Sequence, residues 1–254
     1  MRLSDLQPYQ VGPMHRVGSK NDGGYVIPKE LPTIATLISF GVGDNWSFEK
    51  SCLKNGIVSN CIMYDHTVDF NQFVSRIHSR LLTGKFDFKS FIYRVLVALK
   101  YLRDFSSQSL IHVRKEITKN ESTQNKTNLL EIAKKLGSAL FILKVDIEGA
   151  EYEIVEQVVL LNEKIPLLLI EFHETEKYRH LFESSLEVLK KNYILSHTHA
   201  NNYDGLSNDG IPKTVEITFG NRDYFKSDKQ ILELPIYGLD LPSTPNRSDI
   251  YLKF

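Results

Sequence analysis

Short apolar runs that end in glycine or a carboxylate alternate along this chain with stretches of helical period. The runs at 34–40, 61–64, 110–113, 139–145, 166–172, 193–203 and 214–219 read as strands, several of them apolar throughout, as in a sheet buried on both faces. Between them, residues 48–53, 129–136 (begun at Thr127 or Asn128), 151–161 and 175–191 carry apolar positions at helical spacing, with Gly137 as a stop signal after the second. Strand and helix in alternation predict an α/β fold with a mostly parallel sheet and helices on both faces.

Two segments depart from this rhythm. Near the start, Asn21-Asp22-Gly23-Gly24 is a tight-turn sequence followed by a short strand. Lys20 and Asp22 in that turn belong either to a plain hairpin or to a polar loop folded over a ligand. Between about 70 and 109 the chain is strongly apolar with helical spacing at 86–102, which predicts a helical insertion or an enlarged helical layer within a single domain spanning 1–254. Its apolar surface suits packing on the core or on a second copy of the chain; a membrane-facing helix is the alternative.

Composition removes several function classes. Lys+Arg and Asp+Glu are equal at 31 each, so there is no global basic field of the kind that gathers nucleic acid. Cys52 and Cys61 are too few for a disulfide framework or a cysteine-based zinc site. The first residues lack the apolar core of a secretory signal, and no uncharged run approaches a transmembrane span. A reduced, cytoplasmic setting and a small-molecule partner are the expectation.

Candidate chemistry collects at the strand ends, where open α/β sheets bind ligands. The first strand runs into Gly41-Val-Gly43 and then a helix, an arrangement that lets backbone approach a nucleotide at a helix N-terminus. Trp46 stands where a dinucleotide fingerprint needs its third glycine, which argues against NAD. Asp65, at the tip of the second strand and 22 residues beyond Gly43, is placed to accept both ribose hydroxyls. The central strand delivers Asp146 and Glu148, and period two puts Glu171 and His173 on one face of the next. His197 and His199 share a face further on.

With these residues in view, the chain resembles FkbM-type S-adenosylmethionine-dependent methyltransferases. The matching blocks are Asp22-Gly-Gly-Tyr25, Ser39-Phe-Gly-Val-Gly-Asp44, Lys144-Val-Asp-Ile-Glu-Gly-Ala-Glu151, Ile170-Glu-Phe-His173 and His197-Thr-His-Ala-Asn-Asn202. The resemblance implies a Rossmann-like, seven-stranded sheet with a reversed last strand, and methyl transfer to an oxygen. Carried over, Gly41 and Gly43 would line the methionine part of the cofactor and Asp65 would hold its ribose, with Lys20 and Asp22 on the covering loop. The family's acceptors are sugars, polyketides and other hydroxylated metabolites; a nucleotide-linked sugar for surface polysaccharide is the expectation here, with a polyketide, lipid or peptide hydroxyl, or a non-catalytic binding module, as alternatives.

A sugar hydroxyl needs a general base or a cation that lowers its pKa. His173 and His199 are candidate bases, since imidazole titrates near neutrality. Asp146 stands with them as a catalytic candidate. Asp146 and Glu171 offer oxygen ligands suited to Mg²⁺ or Mn²⁺.

Overall fold

The computed structural model describes residues 1–70, 88–227 and 229–254. A hairpin of β1 (Met14–Gly18) and β2 (Gly24–Pro28) precedes β3 (Thr36–Phe40), α1 (Ser47–Lys54), β4 (Asn60–Tyr64), α2 (Phe88–Asp104) and β5 (Leu110–Val113). The short pair β6 (Glu116–Ile117) and β7 (Lys126–Thr127) leads to α3 (Leu129–Leu136), β8 (Phe141–Val145), α4 (Glu151–Leu160) and β9 (Leu167–Phe172). Then come α5 (Arg179–Asn192), β10 (Tyr193–Ala200), β11 (Val215–Asn221), and the tail pair β12 (Glu233–Leu234) and β13 (Leu252–Lys253).

Seven strands form one sheet in the order β5-β4-β3-β8-β9-β11-β10. Strands β5, β4, β3, β8 and β9 are parallel, and β11 runs antiparallel to both its neighbours. This is the expected Rossmann-like sheet with a reversed last strand. The chain builds outward from β3 to β5 and then returns to place β8 on the other side of β3. That reversal opens a crevice at the carboxyl ends of β3 and β8.

Period two in the strands divides the core. Ile38, Phe40, Leu143 and Val145 face a layer built from α3, α4 and α5; Leu37, Cys61 and Ile142 face α1, α2 and the hairpin. Fully burying each such side chain contributes roughly 1.5–3 kcal/mol. The faces alternate at single-residue resolution, so Ser39 and Lys144 point to the α1 side.

Trp46 precedes α1 and is fully buried. Its ring packs against Tyr101 and Phe105, and its Nε1 donates to Asp104 across 2.9 Å. The residue that replaces a fingerprint glycine therefore anchors α2 to the turn after β3. Helix α2 occupies the crossover that the adjacent parallel strands β4 and β5 require. Val97 and Ala98 join the core, whereas Phe88, Ile92, Leu96 and Leu99 are exposed. The remainder of the predicted apolar segment, 71–87, lies outside the described residues.

Helix α3 begins and ends where its sequence signals lie: the Asn128 side chain accepts from Glu131 N, and Gly137 at φ 63° closes it. Helix α5 starts at Arg179, later than the predicted 175. Thr175 is held elsewhere, its N–H donating to Lys213 O at 2.9 Å and its hydroxyl to Pro212 O at 2.5 Å. Among the described residues no helix is long and apolar enough to cross a membrane.

Candidate functional site

Gly41 ends β3 at φ 80°, a conformation that favours glycine. A Cβ there would stand 1.6 Å from the Asp146 carbonyl oxygen. The close approach follows from register: Phe40 pairs with Val145, and Asp146 N donates to Phe40 O at 3.0 Å. The turn after β3 is thereby pressed against the end of β8.

Asp65 fixes the other side of that turn. Its Oδ2 accepts from Val42 N at 2.8 Å and Gly43 N at 3.2 Å, and its Oδ1 accepts from the Thr67 N–H and hydroxyl, both at 2.7 Å. Burial pushes this carboxyl up, but the bonds from Thr67, Val42 and Gly43 outweigh it and hold the group below its ordinary value. Asp65 is thus an anionic organiser of the glycine turn as well as a residue of the cleft wall. These four bonds take up the roughly four lone-pair sites of the carboxylate, so its part in the cleft is to order the turn.

Lys144 lies under the floor of the cleft, paired in register with Ser39. Its Nζ is 3.6 Å from Glu49 Oε1 and 3.4 Å from Asp146 Oδ2. Ser39 donates to the same Glu49 oxygen at 2.7 Å, and Tyr25 OH reaches Asp146 Oδ2 at 3.4 Å. Burial alone would lower the Lys144 pKa; attraction by Glu49, Asp146 and Glu171 reverses that and raises it. A buried cation of this kind persists only because it is paired, and here the pairing holds Asp146 in place.

The wall beyond Asp146 belongs to β8 and β9. His173 Nδ1 donates to Glu151 Oε1 at 2.8 Å, which leaves Nε2 facing Asp146 Oδ1 and Glu171 Oε1, each 3.9 Å away. Glu151 is fully buried and also accepts from Ile147 N and Gly149 N, fixing a turn in which Glu148 has φ 51° and Gly149 φ 107°. Burial disfavours imidazolium, but the Glu151 bond and the charges of Glu171, Glu151 and Asp146 prevail, lifting the His173 pKa to about 9. Ligand-free His173 is therefore a cation at neutral pH. For Glu171, burial and then repulsion by Asp146 and Glu216 raise the pKa well above the ordinary value, against stabilisation by His173 and a 3.0 Å bond from Asn201 Nδ2.

Together these residues line one cleft of about 730 Å³ at the switch point. It brings together Asp22, Gly41, Gly43, Asp65, Asp146, Glu171 and His173 from the sequence-derived set. Lys20 is exposed and does not line the cleft. The turn beside it docks on α1 instead, where Asn45 Nδ2 donates to Asp22 O at 2.6 Å and Ser47 Oγ to Gly23 O at 3.1 Å.

His199 is also outside the lining and only 4% exposed. Its Nδ1 lies 3.3 Å from Glu216 and its Nε2 3.2 Å from Asp249. With both ring nitrogens committed, it is not placed to take a proton in the cleft. His197 Nε2 lies 3.0 Å from Asp240 Oδ1. The histidine-bearing strand therefore docks the C-terminal tail. A shared face, the one property that period two assigns, was right for both histidines and said nothing of what covers it.

Glu151, Glu49 and Tyr25 escaped the sequence reading as site residues. Glu151 stood at the end of the most specific block, where its carboxylate could have been matched to His173. Glu49 gave no signal, since a glutamate in a short helix is ordinarily solvated.

Asp146, Glu171 and His173 offer one ligand atom each within 4.8 Å of one another. Two carboxylates and an imidazole suit a first-row divalent cation. A cation would also offset the crowding that raises Glu171. The residues fit the group.

No family model matches the chain, and no curated protein matches it. Among solved structures it is similar to M. capricolum TrmK with S-adenosylhomocysteine, at 12% identity and TM-score 0.41, covering 77% of this chain and 66% of that one. A Listeria monocytogenes serotype 4b protein matches at 11% identity and TM-score 0.40, covering 77% and 64%. Precorrin-6y C5,15-methyltransferase from Geobacter metallireducens GS-15 matches at 10% identity and TM-score 0.38, covering 76% and 83%. The matched region spans slightly less than two thirds of the first two chains. Likenesses this distant carry no argument about activity, and the architecture rests on strand order and register.

Proposed function

We propose that this chain is an S-adenosylmethionine-dependent O-methyltransferase whose acceptor is a sugar-like hydroxyl. The observation that carries the reading is one cleft in which Asp65 ties the Gly41–Gly43 turn, while Asp146, Glu171 and His173 stand at the adjoining strand ends. The first half is built for a nucleoside; the second is built for a hydroxyl.

S-adenosylmethionine supplies a methyl group on a sulfonium, whose carbon–sulfur electron pair leaves with sulfur when an oxygen lone pair takes the carbon. Gly41 lets the turn after β3 lie against the end of β8, where a Cβ would meet the Asp146 carbonyl. Asp65 orders the glycine turn against which the nucleoside would lie, its own oxygens being taken by Val42, Gly43 and Thr67. Asp146, held by Lys144 and Tyr25, orients the acceptor hydroxyl. In its neutral form His173 takes the hydroxyl proton on Nε2, its ring fixed by Glu151, and alignment of this kind lowers the barrier of an in-line displacement. Asp146 and Glu171 would hold Mg²⁺ or Mn²⁺, which polarises an acceptor oxygen when bound.

Titration calorimetry with S-adenosylmethionine, S-adenosylhomocysteine and NAD tests the reading. Binding of both sulfur nucleotides, weakened in Asp65→Asn, with no response to NAD, supports it. Binding of neither sulfur nucleotide refutes it.

A further inference from the structure

The tail that docks on β10 also builds part of the cleft. Residues 240–249 form a strap, bonded by His199 to Asp249 at 3.2 Å, with His197 Nε2 facing Asp240 Oδ1 at 3.0 Å outside hydrogen-bond geometry. Between these contacts Asn202 ties the backbone: its Oδ1 accepts from Thr244 N at 2.7 Å, and its Nδ2 reaches Thr244 O at 3.0 Å and Arg247 O at 3.1 Å. From the opposite side Asn21 Nδ2 donates to Pro242 O at 2.9 Å and Asp22 N donates to Ser243 O at 3.3 Å. The backbone around Ser243 is therefore fixed by the hairpin and by Asn202.

Its side chain is not. Ser243 lines the cleft, is 8% exposed, and its Oγ is buried without a hydrogen-bond partner. A buried hydroxyl left unpaired is uncommon enough to call for a partner. The same lining holds the carboxylates of Asp22, Asp146, Glu148, Glu171 and Asp204, and Asp22 is bonded to the Ser243 backbone. Burial, then Glu216 and Asp146, raise the Asp22 pKa, a mark of crowded negative charge. The cations of the lining are already engaged: Lys144 with Glu49 and Asp146, His173 with Glu151 and with Asp146 and Glu171 at 3.9 Å, and Lys115 through its Nζ to Thr123 O.

We propose that the acceptor is a polyhydroxyl compound without phosphate, neutral or amine-bearing, seated against the strap with Ser243 Oγ hydrogen-bonded to it. This rests on the methyltransferase reading and narrows it. A nucleotide-linked sugar, the expectation from sequence, would bring the charge of a pyrophosphate into a wall of carboxylates, where like charges repel. A hydroxylated or amine-bearing compound finds acceptors in those carboxylates and a partner in Ser243.

The experiment uses the full chain saturated with S-adenosylhomocysteine. Binding of free hexoses and free amino hexoses is compared with that of their uridine-diphosphate-linked forms, with and without Mg²⁺. Folding of each variant is checked by circular dichroism. The proposal expects a free sugar or amino sugar to bind at least tenfold tighter than its nucleotide-linked form. It expects Ser243→Ala to weaken that binding about three- to tenfold, as for one lost hydrogen bond, with affinity for S-adenosylhomocysteine unchanged. In Glu148→Gln/Asp204→Asn the discrimination should narrow. Tighter binding of the nucleotide-linked form with or without Mg²⁺, no effect of Ser243→Ala, or binding of no sugar overturns the proposal. Failure of S-adenosylhomocysteine itself to bind overturns the methyltransferase reading instead, so the two failures are distinguishable.

Discussion

His173 Nδ1 lies 2.8 Å from Glu151 Oε1, and this bond decides which ring nitrogen faces the cleft. Glu151 opens α4 while His173 follows β9, so the contact joins the turn after one central strand to the end of its neighbour. Removing the imidazole, as in His173→Ala, should lower kcat roughly 10²–10⁴-fold, the range for a lost general base. Affinity for S-adenosylmethionine should stay near that of the parent protein. A loss of cofactor binding equal to the loss of rate would contradict the assignment.

The same bond predicts a pH profile. The base must be neutral to act, and the His173 pKa is raised to about 9. In metal-free protein the rate should therefore climb tenfold per pH unit above neutrality and level off near pH 9. In Glu151→Ala the ring should titrate at lower pH, visible as a shifted imidazole resonance. A profile flat from neutral pH upward argues for another base.

Asp65 bonds to Val42, Gly43 and Thr67 all at once, so Asp65→Asn tests cofactor binding and turn order together. Hydrogen bonds to a charged group contribute about 1.5–3 kcal/mol. Weakening of S-adenosylhomocysteine binding by roughly 10- to 100-fold is expected, measured by calorimetry. Unchanged affinity would remove Asp65 from the cofactor site.

Gly41→Ala places a methyl group against the Asp146 carbonyl, at a φ that L-residues rarely adopt. Destabilisation at the upper end of the single-substitution range, roughly 4 kcal/mol, is expected from denaturant melts. Full stability in this variant would mean that the β3–β8 contact is looser than the register implies.

His199 fastens the strap as a cation. Burial lowers its pKa, but Asp249 and Glu216 raise it more, to about 10, against an ordinary 6.5. A group raised on folding contributes stability that is complete below about pH 6.5 and lost as the pH passes about 10. Hydrogen exchange across 240–254 should accelerate selectively at that upper limit, and at neutral pH in Asp249→Asn. Uniform exchange changes over the whole chain would show that the strap is not a separate unit.

Cation dependence separates the two ways of activating a hydroxyl. If Asp146 and Glu171 bind Mn²⁺, calorimetry on the parent should show it, and Glu171→Gln should abolish it. A chelator that leaves turnover unchanged assigns proton removal to His173 alone.

The order of strands and helices, the glycine turn and the carboxylates at strand ends were all legible in the sequence, because each follows from local period and turn chemistry. So was the stop of α3 at Gly137; its start was open between Thr127 and Asn128, and the Asn128 side chain is the one that caps it. Tertiary structure decided what local rules do not reach. The period that put His197 and His199 on one face could not say that Asp240 and Asp249, far along the chain, cover it. Nor could a shared face say that His173 turns Nε2 toward Asp146 and Glu171 while His199 does not line the cleft, since that depends on Glu151 taking the other nitrogen of His173. Lys144 reads locally as an interruption in an apolar strand; only its register opposite Ser39, with Glu49 above, makes it a buried support for Asp146. Charge behaves in the same way. The chain is neutral in sum, and the fold alone gathers carboxylates into the lining of one cleft, where burial makes their crowding felt at Asp22 and Glu171.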